Sequence, residues 1–257
     1  MTQIHPTAVI APGAELADDV AVGAFAYIGP EVTIGSGTIV YHHASVDGNT
    51  SIGEKNAIFP YAMIGGQTQD LKYKGGSPGL HIGDRNIFRE YVTIHTATEE
   101  GNCTRVGNDN AILAYAHVAH DCVIGNHVVI SSLSALAGHV VLGNYVNIAW
   151  NSGVHQFCHI GDYAMLAGSS KAVMDILPFM IAEGLPARTR AFNKIALERN
   201  GFSPERIDTV KDIFRIIFHS RGNRAMAFET LRRQEDQDPE LYQLVLEGIQ
   251  RAQRGFC

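Results

Sequence analysis

The chain has 257 residues and a formal net charge of −6, with 20 Lys and Arg set against 26 Asp and Glu. That balance excludes a nucleic-acid binder of the basic-patch kind, and no apolar run reaches the roughly twenty residues a membrane span requires. Cys103, Cys122, Cys158 and Cys257 form no Cys-x-x-Cys pair, which is the usage expected of a reducing cytoplasm.

From Ile4 onward one aliphatic side chain returns at every sixth position: Ile4, Ile10, Leu16, Val22, Ile28, Ile34, and so on to Ile64. The series resumes at Ile82, Phe88 and Ile94, and again from Val106 to Leu166. Two positions before each aliphatic stands a small or β-branched residue, as at Ala8, Ala26, Ala44, Ala116, Cys122 and Ser134. A period of six fits neither the 3.6 of a helix nor the alternation of a flat strand. It predicts a mostly β chain, a hexapeptide parallel β-helix. Residues two apart on a short strand both point inward, and each strand stacks on its equivalent about 4.8 Å above. Because the first residues are already in phase, no secretory leader is expected.

Two stretches break the rhythm, residues 66–81 and 96–105. A solenoid accepts insertions only as outward loops, and long loops on a rigid scaffold commonly carry function. The repeat ends near Leu166, so residues 1–185 are expected to form the β-helix and residues 186–257 a small C-terminal helical domain. A short helix is expected over 193–200, closed by Gly201. Ser203 and Pro204 read as an N-cap and first helical residue. Ile207, Val210, Phe214 and Ile217 then form one apolar stripe ending at Arg221-Gly222. Further helices are expected from Asn223 to Gln234 and from Pro239 to Gln253, the latter capped by Asp238. Solenoids need their open end covered, and this tail would do so.

If three sextets make one coil, residues eighteen apart are vertical neighbours. His120 then lies beneath Gly138 and Gly138 beneath Gln156; Asp121 lies beneath His139, and Ala137 beneath His155. These side chains gather on one corner of three adjacent coils, with His117 nearby. Such a cluster suits acid–base catalysis by histidine, or an open zinc site. No cysteine or glutamate completes a metal set, and the neighbouring polar groups suit a sugar better. Asp121 could orient His120 as a base, as in triad logic, and the Gly138 N–H could serve as an oxyanion donor.

The run Ala116-His117-Val118-Ala119-His120-Asp121-Cys122 and the segments around Gly138-His139 and His155-Gln156 resemble the acyl-ACP–UDP-N-acetylglucosamine O-acyltransferases. So does Gln69-Asp70-Leu71-Lys72-Tyr73 in the first loop. These enzymes catalyse the first step of lipid A synthesis. The resemblance spans essentially the whole chain. It implies a left-handed, three-sided β-helix assembled as a homotrimer with active sites between subunits. The catalytic base would be His120, its orienting partner Asp121 and its oxyanion donor Gly138. Substrate contacts would fall on Gln69, Asp70, Lys72, His117, His139, His155 and Gln156, with nucleotide and phosphate contacts on Asn193 and Arg199. Gly168 would set acyl-chain length. Relatives often carry His-Arg-Gly-Thr where this chain has His95-Thr96-Ala97-Thr98, and Ile195 and Asn200 replace residues that are polar or basic elsewhere.

The expected reaction moves a 3-hydroxyacyl group from acyl carrier protein to the glucosamine 3-position of UDP-N-acetylglucosamine, without metal or other cofactor. Arg188, Arg190, Lys194 and Arg199 give the acidic carrier a basic face. The same base could serve the 3-amino analogue of the sugar. Rival readings are a later N-acyltransferase of the pathway, which carries an extra N-terminal domain; a zinc enzyme resembling the gamma-type carbonic anhydrases; and a purely structural solenoid.

Overall fold

The computed structural model describes residues 3–219, 224–252 and 254–257. Its strands are mostly two residues long, and they stack in parallel into three faces of a left-handed prism. The first face runs from Gln3–Ile4 to Ala187–Phe192, the second from Val9–Ile10 to Lys171–Ala172, and the third from Glu15–Leu16 to His159–Ile160. The sextet phase dictates this arrangement. Val118, Leu136 and Val154 stack on the second face, with Ile112, Ile130 and Ile148 on the first and Ile124, Leu142 and Ile160 on the third. All nine are buried. Burying one such side chain contributes about 1.5–3 kcal/mol.

The eighteen-residue spacing holds through the repeat wherever no loop intervenes, as between Ile39 and Ala57 or His117 and Ala135, and shortens to sixteen at the end of the prism, where Met165 pairs with Ile181. Ala57 instead pairs with Ile87, thirty residues on, and Thr93 pairs with His117, twenty-four on. Both insertions leave the second face and return to the third, so they emerge from one edge of the prism. Corners also impose a backbone rule. Asp121, His139 and Phe157 occupy the same corner in successive coils with φ of +59°, +60° and +65°, a left-handed conformation uncommon outside glycine. On the third–first edge, Asn108, Asn126 and Asn144 form a ladder: each backbone N–H donates to the side-chain oxygen one coil up, ending on Asp162.

Beyond the last full coil the structure departs from the expected boundary. Met180–Gly184 joins the first face in parallel with Met165–Leu166, and Ala187–Phe192 folds back on it antiparallel. The tail from residue 186 thus opens with a strand. Ala187 is buried while Arg188 and Arg190 are exposed, an alternation of period two that favours a strand.

Helix α1 (Lys194–Arg199) follows, capped by the Asn193 side chain, which accepts the Ala196 N–H. Helix α2 (Pro204–Phe218) begins with Ser203 accepting the Arg206 N–H and Pro204 in the first turn. It buries Ile207, Val210 and Ile213, while Phe214 and Ile217 are half-buried. Helix α3 covers Arg224–Gln234, and α4 covers Pro239–Arg251 with Asp238 as its N-cap. The expected end of α2 at Arg221-Gly222, the start of α3 at Asn223 and the end of α4 at Gln253 lie outside the described residues. Buried Leu241, Tyr242, Val245 and Leu246 give α4 an apolar face. Gly248 lets that helix approach the end of the prism, since a Cβ there would stand 3.1 Å from Pro178 Cδ.

Candidate active site

The second–third edge carries His120, Asp121, Gly138, His139, His155 and Gln156, together with both insertions. Local geometry follows from the coil register. His120 Nδ1 donates to Asp121 Oδ2 at 2.8 Å, and the Asp121 N–H is itself held by Thr104 Oγ1 at 2.8 Å. The His120 side chain retains 14% exposure and that of Asp121 only 8%. A hydrogen bond to a carboxylate from Nδ1 fixes which ring nitrogen is left with a lone pair. Nε2 of His120 is that nitrogen. It lies 3.9 Å from Asp70 Oδ2, which the first insertion brings over the edge.

Gly138 packs directly on the imidazole. A Cβ there would fall 2.4 Å from His120 Cε1 and 2.5 Å from Nε2, so no other residue leaves the ring in place. The Gly138 N–H has no acceptor among the described residues. One coil up, the His139 ring crosses that of His120 edge-on at 5.3 Å and stacks on Phe157 at 4.6 Å.

His117 half-buries its ring beside the base, with Nδ1 2.8 Å from Thr93 Oγ1. Burial, reinforced by His95 and His120, lowers its pKa to about 4, so it is neutral near pH 7 and suited to hydrogen bonding with a hydroxyl. His155 receives a hydrogen bond at Nδ1 from Arg254 at 3.1 Å, placing the end of the helical cap against the same edge. Gln69 and Lys72 are exposed on the first insertion, where the Lys72 N–H donates to Asp70 Oδ1.

Three expected residues fall elsewhere in the protomer. Gly168 sits on the first–second edge, between Met165–Leu166 and Lys171–Ala172. Asn193 is buried against the third–first edge, donating to the Tyr163 carbonyl at 2.8 Å while capping α1. Arg199 is exposed in the last turn of α1. One protomer therefore brings the histidine corner together but puts Gly168 and Asn193 at the other two edges and Arg199 on α1.

Sequence reading missed Thr68 and Thr98. Both are buried, their hydroxyls lie 3.0 Å apart, and Thr98 Oγ1 is 3.0 Å from His120 Nδ1. They sit inside the insertions, where the eighteen-residue map does not apply. Arg254 was also missed, since nothing in the tail's periodicity points back to His155.

Ligand atoms of His120, Asp121 and His139 lie within 4.8 Å of one another. Asp121 Oδ2 already accepts from His120 Nδ1 and from the Thr98 N–H at 3.2 Å. Zinc binding through those same two atoms would have to break the hydrogen bond that orients His120.

Comparison with known proteins gives the family. Along its whole length the chain is 42% identical to an acyl-[acyl-carrier-protein]–UDP-N-acetylglucosamine O-acyltransferase of Thermodesulfovibrio yellowstonii, over 258 residues and all of both chains. It belongs to the UDP-N-acetylglucosamine O-acyltransferase family. The family profile described as "Udp N-acetylglucosamine O-acyltransferase; Domain 2" matches residues 175–257, and a bacterial transferase hexapeptide profile matches residues 103–138. Among solved structures of this O-acyltransferase family, that from Moraxella catarrhalis superposes with a TM-score of 0.95 at 38% identity, covering 98% of both chains. The Acinetobacter baumannii structure gives 0.94 at 37% identity, again with 98% coverage of both.

Proposed function

We propose that the protein transfers a 3-hydroxyacyl chain from acyl carrier protein to the 3-hydroxyl of UDP-N-acetylglucosamine, the first step of lipid A synthesis. One observation carries the mechanism: His120 is held at Nδ1 by Asp121, which leaves Nε2 free, and the Gly138 backbone packs against the ring. Neutral His120 removes the proton from the sugar hydroxyl as it attacks the thioester carbonyl. The N–H of buried Gly138 receives the oxyanion. When the C–S bond breaks, His120 returns its proton to the carrier thiol. The products are the 3-O-acyl sugar nucleotide and free carrier. An unassisted hydroxyl is a poor nucleophile at neutral pH, so the base is needed.

Asp70, Lys72, His117, His139, His155 and Gln156 would grip the sugar nucleotide along the same edge. Asn193, Arg199 and Gly168 would join them from neighbouring copies of a homotrimer, because a single protomer holds these residues on different edges. The exposed aromatic column Phe25, Tyr61, Tyr91 and Tyr115 gives the first–second edge an apolar surface for that contact. We place the reaction in the cytoplasm, in keeping with four free thiols. No helix among the described residues is long and apolar enough to cross a membrane.

His120→Ala tests the assignment in an acyl-transfer assay. Turnover should fall roughly 10²–10⁴-fold, the usual worth of a general base, with the melting temperature and sedimentation unchanged. Activity within threefold of the parent would remove His120 from the mechanism. Sedimentation at a single-chain mass would refute the trimer.

A further inference from the structure

The two insertions meet at a point whose chemistry the reaction scheme leaves unused. At the neck of the first loop, the Thr96 N–H donates to Gly66 O at 2.9 Å and the Ala97 N–H to Gly79 O at 3.1 Å. Residues 96 and 97 therefore clamp the outgoing and returning strands of that loop through backbone atoms. Thr98, the next residue, turns inward. Its hydroxyl lies 3.0 Å from Thr68 Oγ1 and 3.0 Å from His120 Nδ1, while its N–H donates to Asp121 Oδ2 at 3.2 Å. Thr68 Oγ1 also accepts the Asp70 N–H at 3.1 Å. Both threonines are about 95% buried, at 5% and 6% exposure.

Proton counting constrains this chain. With Nδ1 of His120 donating to Asp121, the same N–H also faces Thr98 Oγ1, which must present a lone pair to it. Donation of the Thr98 hydroxyl hydrogen to Thr68 Oγ1, one of the two directions that this 3.0 Å pair allows, leaves that lone pair for the ring N–H. A hydroxyl that donates in one direction and accepts in the other favours one tautomer of its histidine neighbour. We propose that Thr98, braced by Thr68, is a positioning residue: it holds His120 in the Nδ1–H tautomer and ties the Asp70 arm of the first loop to the catalytic base. The loop that would recognise the sugar and the ring that would activate its hydroxyl are thereby set as one unit. This inference rests on the reading of His120 as the base.

Removing the hydroxyl leaves substrate contacts in place, so the effect should fall on kcat. Thr98→Val, nearly the same shape, should lower kcat roughly tenfold, as expected for one lost hydrogen bond in the transition state. KM for UDP-N-acetylglucosamine should stay within twofold, and Thr98→Ser should restore most of the rate. Thr68→Val should show a smaller fall of the same kind. The double variant Thr68→Val/Thr98→Val should be no slower than Thr98→Val alone, since the two hydroxyls act in one chain.

Retention of kcat within twofold in Thr98→Val would overturn the proposal. So would a rise in KM with kcat unmoved, which would confine the threonines to shaping the loop. Failure of Thr98→Ser to recover the rate would also count against it. Should Thr98→Val not fold, Thr68→Val carries the same kcat and KM test, because it removes the brace from the Thr98 hydroxyl and leaves the Thr98 N–H on Asp121. His120→Ala separates the two readings. An active His120→Ala enzyme sinks the base assignment, whereas an inactive one alongside a normal Thr98→Val sinks only the tautomer chain.

Discussion

Gly138 and His120 share a volume that admits only one of them a side chain: the hydrogen at the glycine Cα is all that separates that backbone from the imidazole. Gly138→Ala must push the ring away from Asp121 or shift the coil above. Turnover should drop at least as far as removal of one oxyanion donor, roughly 10²–10³-fold, with the fold kept because the residue lies at a corner and not in the core. Measuring kcat and the melting temperature of this variant checks it. An alanine enzyme with near-normal kcat would show that ring and backbone need not touch.

Gly168 offers a different kind of space. A Cβ there would meet only the Trp150 carbonyl, at 3.5 Å, which is ordinary contact. Gly168→Met should therefore fold normally and intrude only on whatever lies beyond the first–second edge. If that is the acyl groove, rates on long hydroxyacyl donors should fall relative to short ones by roughly 10–100-fold, the worth of about 1–3 kcal/mol of overpacking. Relative rates across donors of graded length, for both proteins, decide the matter. An unchanged profile would place the ruler elsewhere.

Acid should loosen the fold in a specific window. Burial lowers His117 and His159 to about 4 from the ordinary 6.5, and the positive charge of Arg251, 2.8 Å away, adds to the effect on His159. The unfolded chain thus binds these protons first. Their contribution is full above about pH 6.5 and is lost as pH falls through about 4. Buried Asp175, whose pKa is raised, works in the opposite sense and gains stability as it protonates. Melting temperatures from pH 7 to 4 should fall less steeply in His159→Gln than in the parent. Parallel curves would contradict the assignment.

Chelation should leave turnover intact, since Asp121 Oδ2 already serves the hydrogen bonds that set the base. Loss of activity in excess chelator, restored by zinc, would instead favour coordination by His120, Asp121 and His139.

Spacing alone carried the reading a long way, and it stopped for physical reasons. Sextet phase locates Val118 inside the prism and stacks Gly138 on His120, because every corner repeats one geometry. Capping chemistry likewise marks Ser203 and Asp238 as helix starts. Thr68 and Thr98 escaped because loop residues have no phase to inherit, and their contact depends on how two insertions fold over each other. Asn193 reads as a site residue by resemblance, yet in the protomer its amide is spent on Tyr163 and a helix cap. Residue spacing says which edge a side chain occupies and nothing about which edges meet between copies.

The pairings across the insertions, thirty and twenty-four residues apart in place of eighteen, lengthen their coils by whole sextets. Each loop is a cassette that leaves the frame intact: cutting one out or exchanging it for another of like length would let the strands beyond it re-pair without slipping. Such a prism can change what it holds at its edge while every coil above the change keeps its inward and outward faces. A one-residue deletion in the same loop would have to be absorbed before the next strand, or the downstream side chains would exchange core for solvent.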